Sequence, residues 1–128
     1  MDKFNPNFND TKELVKLFGD EAKRVSKLLN NGNSYDAHIS TTQFRQFYEK
    51  ILELNDKAQG LNEADFKIKI LPFVKLLNSK VQYSFSRRNC KQNFVDMMKK
   101  SIDKVESSIE LQNFKYFLEA IIGYMPKK

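Results

Sequence analysis

The chain has 128 residues, with 22 Lys plus Arg against 16 Asp plus Glu, a net charge of +6, and 41% hydrophobic residues. That apolar share is too high for a disordered chain, and the length suits one domain spanning 1–128 with its own core. A single cysteine excludes an internal disulfide, the longest apolar run (Ile70 to Val74) is far too short to span a bilayer, and only 4 Gly and 3 Pro argue against a turn-dense all-β fold.

The opening from Met1 to Asn7 lacks the apolar core of a signal peptide, so a cytoplasmic protein is expected. The first helix is expected over about 11–29, where Leu14, Phe18, Ala22, Val25 and Leu29 recur at helical spacing. Gly19 weakens it from within. Residues 30–36, rich in Asn, Gly and Ser, read as a loop. A second helix opens at Ser40, which stands in capping-box register with Gln43. Phe44, Phe47, Tyr48, Ile51 and Leu54 line its inner face, and Gly60 stops it. Asn62 caps a third helix carrying Phe66, Ile70, Phe73, Val74 and Leu77. Pro72 lies inside that pattern and predicts a kink or break near Leu71.

The segment with Val81, Tyr83 and Phe85 fits either helix or extended backbone, helix being favoured. Phe94, Met97, Met98, Ile102 and Val105 mark a further helix, and Phe114, Phe117, Leu118, Ile121, Ile122 and Met125 mark the last, ended by Pro126. The fold class is all-α, a compact bundle of five or six helices.

Catalysis is poorly supplied. His38 is the only histidine, which rules out a multi-histidine metal centre within one chain, and a solvent-exposed or locally bonded role is expected for it. Cys90 follows Arg87 and Arg88, cations able to lower a thiol pKa, yet a structural thiol is the reading adopted. No Gly-rich phosphate loop is present. The expectation is a non-enzyme with no catalytic residue, metal or cofactor.

Charge carries the functional signal. Residues 67–104 hold ten of the 22 cations and only two of the 16 carboxylates, Asp96 and Asp103. An imbalance this local suggests a surface facing a polyanion. If 80–91 is helical, Lys80, Ser84, Arg87, Arg88 and Lys91 share one face and can follow successive phosphates. Arg45, early in the second helix, is a further candidate cation. Tyr83 reads as a core residue with a wet hydroxyl, base stacking being the alternative. The turn before Glu63 and Asp65 makes a poor helix-turn-helix, because those carboxylates would meet phosphates.

A resemblance sharpens this. The stretch from Ser40 to Tyr48 (Ser-Thr-Thr-Gln-Phe-Arg-Gln-Phe-Tyr), the run from Leu71 to Leu77, the Lys80-Val81-Gln82-Tyr83 stretch leading to Arg87, and the stretch from Phe114 to Ile122 together resemble the small-subunit family of type III-A CRISPR–Cas (Csm) complexes. It spans about 39–125 and leaves 1–38 outside. The resemblance implies a small helical bundle without nuclease activity. Several copies would stack as a filament beside the backbone subunits, contacting the target RNA strand paired to CRISPR RNA through phosphates. It maps contact positions onto Arg45, Lys80, Arg87 and Arg88, with Lys75 and Lys91 as further candidates. Expected partners are RNA, the other Csm subunits and copies of the chain itself, without a membrane. For stacking, acidic patches on residues 1–66, Glu49 and Glu53 among them, would meet the basic segment of a neighbour. The competing reading is a helical adaptor or inhibitor that binds an acidic protein and no nucleic acid. A DNA-binding regulator is a third.

Overall fold

The computed structural model describes residues 1, 3–30 and 37–125. Among these the backbone forms α1 (Thr11–Lys16), α2 (Ala22–Leu29), α3 (Thr41–Ala58), α4 (Glu63–Lys69), α5 (Leu71–Ser86), α6 (Gln92–Lys104) and α7 (Ser108–Tyr124), with no strand. A π-helical turn, Leu17–Glu21, joins α1 to α2. Taking α1–α2 as one bent helix and α4–α5 as one broken helix, the bundle has five, and six if α4 and α5 are separated. The all-α expectation holds. Residues 31–36 of the loop predicted at 30–36, and the predicted stop at Pro126, lie outside the described residues, while Asn30 leaves the helix with extended backbone as expected.

Local chemistry explains most boundaries. The Ser40 hydroxyl accepts from the Gln43 amide at 3.1 Å, and the Asn62 side chain accepts from the Asp65 amide at 2.8 Å, so both predicted caps form. Gly60 ends the α3 turn with φ +82, a conformation glycine adopts without a side-chain penalty. Pro72 breaks the third predicted helix as expected. Ile70 separates α4 from α5 with φ −116 and ψ −50, and Pro72 falls in the first turn of α5, where its missing amide costs nothing. Gly19 does more than weaken the first helix. At φ −108 and ψ −109 it leaves helical geometry, and the π-turn is the result.

α7 is the central element, packed against α2, α3 and the π-turn, while α5 packs on α6. Its Leu111, Phe114, Phe117, Leu118 and Ile121 are all buried. The N-terminal residues join this core, which the helical periodicity did not disclose. Phe4 stacks on Phe117 at 5.7 Å between ring centroids, and Phe8 lies 5.4 Å from Phe114 and 6.0 Å from Phe117. The Asn113 amide donates to the Phe8 carbonyl at 2.8 Å, and Lys100 Nζ donates to the Met1 carbonyl at 2.7 Å. Residues 3–10 thus form a strap across α7.

Two carboxylates tie helix ends together. Glu63, in the first turn of α4, accepts from the Ser108 amide at 3.0 Å and from the Ser108 hydroxyl. These bonds hold the Glu63 carboxyl below the ordinary glutamate range. At Asp103 burial pushes the pKa up, but hydrogen bonds from Lys99 at 2.8 Å and Asn78 at 3.1 Å outweigh it and leave the carboxyl below its usual value. A carboxyl depressed in the folded state contributes stability above its unfolded pKa, near 4, and loses it as pH falls through the folded value. Stability is therefore expected to decline below about pH 4, and urea midpoints between pH 6 and 3 should show a shallower acid branch in Glu63→Gln. An unchanged branch would remove Glu63 from the account.

Candidate nucleic-acid interface

The basic segment is not one continuous helix. α5 stops at Ser86, and the chain closes it with two backbone bonds: the Arg88 amide donates to the Phe85 carbonyl at 3.0 Å, and the Asn89 amide to the Ser84 carbonyl at 2.9 Å. This is the Schellman arrangement, which places one residue in the left-handed region. Here that residue is Arg88, with φ +63. Glycine usually fills such a position, and its absence hid the helix end from the sequence.

The turn reorganises the predicted face. Lys80 and Arg87 remain together on the exposed side of α5, seven residues apart, and Tyr83 stands between them. Ser84 does not belong there: it is buried, because the helix turns that position toward the core. Tyr83 is not a core residue. It is 61% exposed, and the Arg87 guanidinium covers its ring at 5.0 Å. Arg88 projects from the turn itself, and Lys91 follows at the cap of α6.

His38 fixes the turn against the rest of the bundle. Its carbonyl accepts from the Lys91 amide at 2.7 Å, and its Nδ1 accepts from the Asn93 amide at 3.0 Å. The imidazole thus caps α6, which has no side-chain cap from Lys91. His38→Ala leaves that amide without its acceptor, and a loss of about 1 kcal/mol in urea unfolding is expected. Two residues later Ser40 starts α3, and Phe44 and Phe47 meet Phe94 of α6 at 6.0 and 5.2 Å. The start of α3, carrying exposed Arg45, therefore lies at the same end of the bundle as the 87–91 turn.

Among the described residues, the side chains of Arg45, Lys80 and Arg88 have no ion-pair or hydrogen-bond partner. Lys75 is placed differently. It faces α6, where its Nζ donates to the Ile102 carbonyl at 2.9 Å and pairs with Glu106 at 2.7 Å. A cation at those last carbonyls closes the C-terminal end of α6. Cys90 is buried, in keeping with a structural thiol. Burial raises its thiol pKa, more than the hydrogen bond to Ser84 lowers it, so the neighbouring arginines do not activate it.

Among the described residues no group of three His, Cys, Asp or Glu is placed to hold a metal ion, and no helix is long and apolar enough to cross a membrane. The arrangement is one of cations on a short helix face and a turn.

The family model for Csm2 Type III-A matches residues 11–125. The chain belongs to that family. The match takes in the bent N-terminal helix as well as the 39–125 stretch, and membership makes the chain a small subunit of the type III-A CRISPR–Cas complex, alongside the other Csm subunits. No curated protein and no solved structure matches it.

Proposed function

We propose that this Csm2 family member is a non-catalytic, cytoplasmic subunit that grips the target RNA strand paired to CRISPR RNA through phosphate contacts, several copies stacking along it. The single observation that carries the reading is the group of cations at one end of the bundle: Arg45, Lys80 and Arg88, whose side chains lack acidic partners among the described residues, with Arg87 and Lys91 beside them. Such a cluster costs stability through self-repulsion and is relieved by a polyanion. Nothing about it reads bases. A helix end and a turn present guanidinium forks to phosphates, while sequence choice is left to guide pairing.

Lys75 has a structural duty at α6, so it is the candidate contact with least to offer RNA. Stacking would set the exposed Glu49 and Glu53 of α3 against a neighbour's basic segment.

The test is anisotropy of two unrelated single-stranded RNAs across a salt series. If about four cations engage a strand, log affinity should fall against log salt with a slope near −3, equal for both sequences. A marked preference for one sequence, or a flat slope, would overturn the phosphate-contact reading.

A further inference from the structure

A second surface lies beside the cationic end and has a different chemistry. α3 and α5 leave a groove of about 240 Å³ between them, floored by Leu54, Ile70, Phe73 and Leu76. Phe73 is 54% exposed and Leu76 50% exposed, one helical turn apart, so α5 offers solvent an apolar face that no other described element covers. Lysines stand around this floor: Lys50 and Lys57 on the α3 side, Lys69 and Lys80 on the other. Among the described residues Glu53 is the one carboxylate lining it, and it pairs with Lys57 at 3.6 Å. Lys50, Lys69 and Lys80 have no acidic partner among the described residues.

We propose that this groove docks an acidic amphipathic helix from a partner protein, its apolar side on Phe73 and Leu76 and its carboxylates on the lysine rim. The reasoning is complementarity of two kinds. The apolar floor gains from an apolar anchor, and the unpaired lysines select acidic flanks over basic ones. Length fits a helix too. From Leu71 to Lys80 α5 runs roughly 14 Å, between two and three turns of a helix laid beside it. A nucleic acid strand would answer the lysines and leave the Phe73–Leu76 floor facing water. A second copy of this chain is a poorer match, since its exposed α3 mixes the two signs, Arg45, Lys50 and Lys57 against Glu49, Glu53 and Asp56. Lys80 is shared with the cationic end. The proposal otherwise stands apart from the RNA reading, and either can fail alone.

The experiment uses the full chain and a fluorescein-labelled helical peptide of about fourteen residues, with Leu at i, i+3 and i+7 and Glu at the flanking positions. A control peptide keeps the leucines and replaces Glu by Lys. The acidic peptide should bind at least about tenfold more tightly than the control, and Leu76→Glu should weaken it about tenfold or more. Amide resonances should move within 50–57 and 69–80. Lys69→Glu, a change at an exposed rim position, provides a second variant should Leu76→Glu disturb folding, and it should weaken the acidic peptide while improving the control. A neutral change of the floor, Leu76→Ser, should also weaken the acidic peptide while leaving single-stranded RNA binding unchanged, since it adds no charge beside Lys80. Equal binding of the two peptides, resonance shifts confined elsewhere, or no binding would overturn the proposal. So would loss of RNA affinity in the neutral Leu76→Ser, which would give the groove to nucleic acid. Loss of self-association in sedimentation, with peptide binding intact, would give it to a second copy.

Discussion

Phe8→Ala is expected to cost about 3–5 kcal/mol in urea unfolding, and removal of residues 1–9 more than that. Phe8 is fully buried and touches both Phe114 and Phe117, the centre of the α7 face around which the bundle is organised. Truncation leaves a ring-sized void. The surrounding positions come from helices already fixed by their own contacts, so they collapse into it only in part. Phe4 adds a second ring on Phe117 and is equally buried. A domain of this size has about 5–15 kcal/mol in total, so a loss of this order moves much of the population toward the unfolded state. The change should lower the urea midpoint without altering the slope, because the surface exposed on unfolding stays nearly the same. A loss under about 1 kcal/mol would mean the strap is an accessory to the fold and not part of its core.

That strap shows what the sequence could and could not reveal. Helical periodicity needs a run of turns, and it exposed α3, α6 and α7 because their buried residues recur at three and four. Phe4 and Phe8 belong to a short segment interrupted by Pro6, so no period could distinguish them from surface aromatics; only the partner rings on α7 make them core. Proline and glycine signals were legible where they act through the backbone alone. Pro72 announced the break at Ile70, and Gly60 the end of α3. The end of α5 carried no such sign, because its left-handed position is filled by Arg88. The hidden turn displaced only Arg88 and Lys91 from the helical face; Ser84 was misassigned within α5 itself, where it continues the buried register of Val74, Leu77 and Val81 and leaves Tyr83 exposed wherever the helix ends. The concentration of cations itself was legible, since it depends on composition and not on geometry. The lysine-ringed groove was not, because half of its rim comes from α3, distant in the chain.

The combined Lys80→Glu, Arg87→Glu, Arg88→Glu variant is expected to lose RNA affinity by about a hundredfold or more, roughly the value of two charge-assisted phosphate contacts, uniformly across sequences. Charge reversal alone does not show that the turn was placed for contact, because any nearby negative charge repels RNA. Arg88→Gly separates the two. An L-residue in the left-handed region pays about 1 kcal/mol or more relative to glycine, partly offset by the greater freedom glycine loses on folding. The two Schellman hydrogen bonds are made by the backbone and persist without the side chain. The exposed Arg88 side chain has no partner among the described residues, so nothing else is lost in the fold. Arg88→Gly should therefore raise stability by up to about 1 kcal/mol, a few degrees in Tm, while lowering RNA affinity severalfold and flattening the salt slope by about 0.7. Opposite signs in the two measurements are the signature of a strained residue retained for binding. A variant that melts lower would show that the arginine side chain supports the turn; one that binds RNA unchanged would leave the contact to Lys80 and Arg87, which share the α5 face.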